Sequence, residues 1–392
     1  MKNKMTRLGR TVSYVLLALL CSVSLAAQDS ADADEDRWVK VGAGIRAGFG
    51  SVEDGAPSGK DRSKDWKLES VRLYANGQLN KKFGFTFNTE CEGCVFGQDA
   101  NDPVGAKGDI VVLDAILRLE FSKQFNIWVG RMLTPADRIE LNGPYYGLTW
   151  NQFTVPLLPS DQLGQAGLLG RDDGMTIWGA GGKLQYAVGL FDGVDGGPNQ
   201  DDNMLFAGRV AYNFLNMESN PGYYTSSTYF GTAGDIFTVG LSYQSQADGT
   251  GTATSPGDFN AVIADVLYEE ALAGGAAFTV EAEYKVFDSE LTAEALAGQN
   301  CFCLFDGDAY FVSVAYLFGE AVGPGQFQPY VRRTENTPEL GLDSDLIEVG
   351  LNYVIDGHNL RLNVNYTDGD ANLTGAAGRD ANAVSFGVQI QM

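Results

Sequence analysis

A two-residue alternation of apolar and polar side chains is the feature that most constrains the fold of this chain. It is clearest between Trp66 and Phe125, where the runs WKLESVRLYANGQL, FGFTFNTE and IVVLDAILRLEF are separated by turns. Successive side chains of a β-strand point to opposite faces, so each run has one apolar and one polar face. A sheet built from such strands needs an apolar environment on one side and water on the other.

The connections between these runs alternate in length. A short link, 80–82, precedes the second run, and a long polar link, 92–108, follows it. This alternation is typical of a transmembrane barrel whose strands face lipid outside and water inside. The pattern predicts an all-β fold, an antiparallel barrel of about sixteen strands with both termini on the short-turn side, and 215–234 is its one irregular connection. The predicted strands are 38–49, 66–79, 83–91, 109–121, 125–133, 172–180, 182–191, 203–214, 235–246, 259–270, 276–287, 308–319, 325–335, 345–355, 359–368 and 382–392.

The beginning of the chain is typical of a secretory signal peptide, residues 1–27. Basic residues precede an apolar run, 12–20, that is too short to cross a bilayer as a helix. The alternative is a lipoprotein acylated at Cys21. An acidic linker, 28–37, then leads into the barrel, 38–392.

Composition agrees with a barrel in a bacterial outer membrane. Hydrophobic residues make up an ordinary 44% of the chain, because half of every barrel strand is polar. The net charge of −23 argues against a nucleic-acid partner, whose phosphates would be repelled. The expected partners are the lipid bilayer with its outer-leaflet lipids, and small ions or solutes inside the barrel.

Aromatic residues flank the short connections. Such residues form girdles at the membrane interface of barrels, whereas in the alternative, a soluble β-sandwich, they would belong to the core. They are Phe83, Phe121, Phe125, Phe214, Phe318, Phe327 and Tyr353.

The longest connection, 134–171, is rich in apolar and aromatic residues that are costly to keep in water. We predict that this constriction loop folds into the barrel and narrows the pore, and the alternative is that it packs against a neighbouring subunit. Its side chains would then shape the field at the narrowest point. They are Asp137, Arg138, Glu140, Tyr145, Tyr146, Trp150, Asp161 and Arg171.

The polar faces of the strands are the predicted pore lining and carry both signs of charge. Arginines opposite carboxylates create a transverse field across a pore, although the same residues could simply pair across the wall. Arg131 is an exception, because it lies on the same strand face as Val129, which is predicted to face lipid. Either the strand bulges there or its end rises above the membrane. The predicted lining residues are Arg46, Arg72, Asp114, Arg118, Glu120, Arg209, Glu281, Glu283, Arg332, Glu348 and Arg361.

Two segments resemble a known family. NPGYYTSSTYFGTAGDIFTVGLSYQ at 220–244, preceded by GRVAYNFL, resembles the phosphate-selective porin O and P family, and VGRMLTP at 129–135 is similar to the strand that leads into that family's constriction loop. The resemblance implies a sixteen-stranded outer-membrane channel that assembles as a homotrimer. The family's phosphate-selective members have an arginine ladder and a lysine cluster. Here 27 Lys and Arg face 50 Asp and Glu, no loop is rich in lysine, and we expect a weak cation preference.

Four cysteines lie on long, outward connections. In an oxidising location they predict disulfides, and three connectivities remain open. A four-thiolate metal site and free thiols are the alternatives. The chain contains no CxxCH sequence, so a covalently bound haem is not indicated. We expect neither a metal nor a cofactor. The cysteines are Cys91, Cys94, Cys301 and Cys303.

Enzymatic function is not indicated. The only histidine, His358, falls in a short turn, where a polar turn role is expected and a Ser-His-acid site would lack its cleft. Glu281 and Glu283 share one face of a strand, and pore lining explains them without an acid/base role. The sequence therefore predicts a passive aqueous channel for small hydrophilic solutes or ions. The alternative is a non-channel barrel that serves as a surface-binding scaffold or as a sheath for an electron carrier.

Overall fold

The computed structural model describes residues 37–92, 109–159, 170–298 and 300–392. They form a closed antiparallel barrel of sixteen strands, each paired with its neighbours in sequence, and the predicted fold is confirmed. The strands are β1 (Trp38–Val52), β2 (Asp65–Asn80), β3 (Phe83–Glu92), β4 (Asp109–Glu120), β5 (Asn126–Leu133), β6 (Arg171–Gly181), β7 (Leu184–Phe191), β8 (Leu205–Asn213), β9 (Ile236–Thr252), β10 (Ser255–Ala271), β11 (Ala277–Asp288), β12 (Gly307–Leu317), β13 (Gln326–Pro338), β14 (Ser344–Asp356), β15 (Leu360–Gly369) and β16 (Ala381–Gln391).

The first and last strands close the cylinder. Ile45 lies opposite Ile390 and Phe49 opposite Phe386, so apolar side chains continue around the outside across the seam. Met392 exchanges two main-chain hydrogen bonds with Ala43. Closure satisfies the backbone groups that an open sheet edge would expose to lipid.

One predicted connection is wrong, because residues 247–258 are mostly strand. β9 and β10 form a long hairpin whose turn is only 253–254. This part of the hairpin, ADGTGTATSPGD, has no alternation of apolar and polar residues. The strands are held together there by main-chain hydrogen bonds between β9 and β10. A segment that projects beyond the membrane needs no apolar face, so its sequence shows no alternation. The predicted signal peptide and nearly all of the acidic linker, residues 1–36, lie outside the described part of the chain.

The outer surface is apolar, with aromatic rings near the short turns. Phe121 and Phe125 stack at 5.9 Å, and Phe327 lies 5.0 Å from Tyr353, measured between ring centroids. Large hydrophobic side chains such as Val41 are exposed around the barrel. This surface suits a bilayer rather than water.

Arg131 points outward without a bulge. It lies directly opposite Asp173 of β6, and the two side chains form an ion pair at 2.7 Å on the outer surface. β5 is one of the shortest strands. The pair therefore lies near the end of β5 where the constriction loop begins, at a place where the barrel wall is short.

The hydrophobic core lies inside the barrel. The constriction loop begins with a short helix, α1 (Arg138–Tyr146), and a second helix, α2 (Ala293–Ala297), lies between β11 and β12. Leu141 and Leu158 of the loop are buried in a cluster with wall residues such as Ile263. Across the described ranges, no helix is long and apolar enough to cross a membrane. A second connection, 214–235, also enters the barrel and packs beneath the constriction loop.

Candidate functional site: a barrel interior divided by the constriction loop

Helix α1 is fixed to the inner wall at its first turn. Asp137 caps the helix, because its carboxylate accepts a hydrogen bond from the Glu140 amide at 3.1 Å. The same carboxylate binds Lys285 of β11 at 2.8 Å. Gly143, with φ of 59°, and Pro144 bend the helix, so that the chain turns to follow the wall.

Four arginines of the wall donate to backbone carbonyls of the constriction loop. The pairs are Arg46 to Pro144 (2.9 Å), Arg209 to Ala136 (3.2 Å), Arg332 to Gln152 (2.6 Å) and Arg361 to Gly147 (2.7 Å). All four side chains are at most 5% exposed. These predicted lining residues lie under the loop and anchor it, and they do not border open water.

Lys285 is the centre of a buried charge cluster. Its ammonium group lies 2.8 Å from Asp137, 3.3 Å from Glu140 and 3.2 Å from Glu283, and all four side chains are at most 2% exposed. Burial of charges is costly unless each one is paired and hydrogen-bonded. The cluster therefore fixes the loop to β11, and its four side chains do not border open water.

Three more of the predicted carboxylates are also inside and buried. Glu281 accepts from Ser227 at 2.6 Å, and Glu348 accepts from Tyr330 at 2.6 Å. Asp114 forms an ion pair with Arg171 at 3.1 Å. The loop aromatics divide: Tyr145 and Trp150 are buried, whereas Tyr146 is exposed. Asp161 lies outside the described residues.

β2, β3 and β4 carry the part of the inner wall that stays open. Arg72 pairs with Glu90 at 2.6 Å and Arg118 with Glu120 at 3.4 Å, and the Glu120 side chain is 27% exposed. The Arg72 guanidinium also stands 5.1 Å from the Tyr145 ring, so this wall meets the edge of the loop. Further inner side chains here are partly exposed: Tyr74, Asn76, Gln78, Thr86 and Asn88. Several inward side chains of this side therefore keep part of their surface exposed.

The 214–235 segment brings a buried ion pair to α1. Arg138 donates to both carboxylate oxygens of Glu218, at 2.8 and 2.7 Å. Burial raises the pKa of Glu218, but the Arg138 charge outweighs it and leaves that pKa below its usual value. Burial lowers the pKa of Arg138, and Glu218 reverses this, so both groups stay ionised.

His358 lies in its predicted turn but is packed between two rings. The ring centroids of Tyr146 and Phe230 are 5.0 and 4.8 Å away, and the Nε2 atom lies 2.9 Å from the Thr228 carbonyl. Burial, with the charge of Arg361, lowers the pKa of His358 to about 3. The histidine is therefore neutral and joins three segments of the barrel end.

The outer cysteines form disulfides. Cys301 is bonded to Cys303 across a Cα distance of 5.1 Å, which excludes the two connectivities that tie the loops together and excludes a four-thiolate site. Cys91 is disulfide-bonded as well, and Cys94 lies outside the described residues.

Several inner residues are not among those predicted from the sequence. Glu69 reaches inside because a β-bulge in the β1–β2 pairing shifts the alternation, and it accepts from the Trp150 indole at 3.1 Å. Asp265 and Glu269 follow the inward parity of β10, and this parity could have found them. Glu218 lies in an irregular connection, where no periodic signal exists.

Comparison with protein families identifies the chain. A family model described as Gram-negative porin matches residues 13–391. The chain belongs to the Gram-negative porin family. This porin is a passive channel of the bacterial outer membrane, and the alternatives of a scaffold or a sheath are not supported. No curated protein matches the sequence significantly.

Solved structures share the fold at low sequence identity. The porin is similar to an anion-selective porin from Comamonas acidovorans, with a TM-score of 0.57, 13% identity and coverage of 91% of this chain and 100% of that one. OmpT of Vibrio cholerae, in a trimer form, gives 0.54 with 15% identity and the same coverage. The outer-membrane channel DcaP of Acinetobacter baumannii gives 0.53 with 10% identity, covering 92% of this chain and 99% of that one.

Proposed function

We propose that this porin conducts small hydrophilic ions and solutes through a passage between the constriction loop and the inner wall of β2–β4. The contrast in burial supports this path. Arg72, Arg118 and Glu120 keep part of their side chains in water, whereas the arginines that hold the loop do not. Charges in contact with water act on a passing ion, while charges that are paired and buried act mainly on the structure.

The selectivity that we propose is a weak preference for cations. Arg72 is partly neutralised by Glu90 and Arg118 by Glu120, so the passage itself carries balanced charge. The outer connections are acidic: the link 192–204 alone exposes several aspartates. An acidic mouth raises the local concentration of cations and lowers that of anions.

From the resemblance to the phosphate-selective porin O and P family we propose only the architecture of the channel, and not its solute. Family membership at the level of Gram-negative porins fits that resemblance, and the excess of acidic residues does not favour phosphate as the solute. We also propose a homotrimer, because that family resemblance and a trimeric form of a protein of similar fold point the same way. The channel needs no cofactor and catalyses no reaction.

The experiment is a single-channel recording in planar bilayers with a salt gradient. The folded protein is expected to give ion steps and a small reversal potential of the sign that indicates cations. Glu120→Gln should shift that potential toward anions and Arg72→Gln should shift it toward cations. Arg333→Gln, on the outer surface, is the control. Folded protein without ion steps would refute conduction, and a strong anion preference would refute the selectivity.

A further inference from the structure

The connection between β8 and β9 is far longer than closing a hairpin requires. It spans 214–235, whereas another connection at the same end of the barrel spans only 81–82. The Asn216 amide already donates to the Asp235 carbonyl at 3.0 Å, so the two strands are joined at the base of the excursion. Residues 217–234 therefore leave the wall and return to the same point.

This excursion extends through the interior from the wall at β10 and β11 to the β14–β15 turn, where His358 Nε2 lies 2.9 Å from the Thr228 carbonyl. Ser227 donates to Glu281 of β11 at 2.6 Å, and Thr228 donates to Glu269 of β10 at 2.6 Å. Ser227 and Thr228 are buried, and so are the carboxylates they meet. The segment thus occupies the barrel at the end opposite the long outer connections.

The segment docks directly on the constriction loop. Thr225 donates from its hydroxyl to the Arg138 carbonyl at 2.8 Å and from its amide to the Leu141 carbonyl at 3.4 Å. The Ser227 amide donates to the Tyr146 carbonyl at 3.1 Å. These bonds satisfy carbonyls along α1, so the segment supplies part of the hydrogen bonding of the loop, beside the wall arginines.

A buried ion pair joins the two elements. Arg138 and Glu218 are at most 2% exposed, and Arg138 also donates to the Ser226 carbonyl at 2.9 Å. Tyr229 donates to the same Glu218 carboxylate at 2.7 Å. Removal of Arg138 would leave the buried Glu218 without a cation, which is costly. Removal of Glu218 would leave Arg138 with only its 3.4 Å contact to Asp265, which already pairs with Arg209.

The segment also touches the open side of the interior. Tyr223 and Tyr224 pack on Trp128 with ring centroids at 5.4 and 5.7 Å. The Trp128 indole donates to Glu120, one of the residues of the proposed passage, at 3.4 Å. A change in the segment therefore reaches the passage through a single side chain.

We propose that the 214–235 segment is a second constriction element, and that it and the constriction loop together set the width and selectivity of the pore. The inference rests on the proposed channel function. Because each element bridges the interior by itself, removal of one leaves the other in place. The narrowest part of the pore is then a property of the docked pair.

The test replaces 217–234 by Asn-Gly, a turn that closes the hairpin at Asn216 and Asp235. The single-channel conductance is expected to rise at least twofold, and larger solutes should pass. The matched control replaces 319–326 by Asn-Gly, because Phe318 and Phe327 are hydrogen-bonded in the same way. Its conductance should equal that of the unmodified protein. Heat-modifiable electrophoretic mobility verifies that each barrel is folded.

The outcomes separate this inference from the channel function. Unchanged conductance of the folded 217–234 replacement, with conducting unmodified protein, would refute the second constriction alone. Current through the replacement but not through the unmodified protein would support it, as removal of a closed plug. No current through either would refute the channel function and this inference with it.

A point variant tests the contact without altering the backbone. Glu218→Gln removes the charge that Arg138 needs, and hydrogen exchange of the Thr225 and Ser227 amides is expected to become at least tenfold faster, with noisier open-channel current. Glu320→Gln, in an exposed turn at the same end, is the control. If neither exchange nor current noise changes in Glu218→Gln, the segment is not a part of the constriction.

Discussion

Arg332 and Arg333 are neighbours in β13 and lie on opposite sides of the barrel wall. Arg332 is buried and donates to the carbonyls of Asn151 and Gln152. Arg333 is 46% exposed and pairs with Asp345 on the outer surface. One residue type thus anchors the loop on one face and forms a solvent-exposed ion pair on the other.

Arg332→Gln is expected to lower the free energy of unfolding by about 3 kcal/mol, because it leaves buried acceptors and nearby carboxylates without their cation. Arg333→Gln should cost less than about 1 kcal/mol, since exposed pairs contribute little. Urea unfolding of the refolded variants measures both. Equal losses would contradict the anchoring role of Arg332.

Acid should destabilise the folded protein through His358. Its pKa is about 3 in the folded chain and 6.5 when unfolded, so between these pH values the unfolded chain binds a proton that the folded chain does not. Above pH 6.5 His358 is neutral in both states and does not change the free energy of unfolding. Below pH 6.5 the free energy of unfolding falls as the pH decreases toward 3. His358→Asn should therefore lose less stability between pH 7 and pH 4 than the unmodified protein does. Parallel pH profiles in urea unfolding would contradict this.

Among the elements, alternation predicted strands only where a strand faces lipid. The β9–β10 hairpin continues beyond that zone in a Gly- and Thr-rich stretch, for which the sequence wrongly predicts a loop. The constriction loop was recognised by the opposite signal, apolar residues in a long connection. The 214–235 segment has no such alternation, and its position depends on contacts with other strands, both through polar groups and through Tyr223 and Tyr224 on Trp128.

Deletion of Leu141–Leu158 should increase the single-channel conductance. These residues cover the wall at β1, β13 and β15, and their removal exposes Arg46, Arg332 and Arg361, which now bind their carbonyls. The same recordings should show a shift toward anions, because Arg361 and its counterparts would then face water. Conductance and selectivity equal to those of the intact loop would mean that the loop does not constrict the pore.

At the scale of the whole molecule, the barrel has an apolar outer surface and an interior that is partly filled by the loop and the segment. Lipid-facing side chains form an apolar outer surface, while loop and segment residues form a core inside. The net charge of −23 is carried largely by the outer connections. Selectivity should therefore depend on the molecule's overall field more than on a binding site.

Salt should abolish the cation preference. The Debye length is about 10 Å at 0.1 M salt and about 3 Å at 1 M, so an acidic mouth acts on ions only in dilute salt. The reversal potential for a fixed concentration ratio is expected to approach zero as both solutions are raised toward 1 M. A preference that persists at 1 M would indicate a local charged site in the passage.

The sequence by itself determined the strands, their number, the closed barrel and the inward loop. Lipid on one side and water on the other impose a period of two, which is a local pattern and can be read residue by residue. It also indicated the inward face of most strands, but register shifts break the period at Glu69 and at Leu113, which is fully buried.

Only the tertiary structure decided which inward charges meet water. Arg72 and Arg361 both lie on the inward face of their strands. The Arg72 side chain is still 11% exposed, whereas the Arg361 side chain is buried beneath Gly147. The difference depends on where the constriction loop and the 214–235 segment lie across the interior. Those positions result from contacts between residues far apart in the chain, and no local period encodes them.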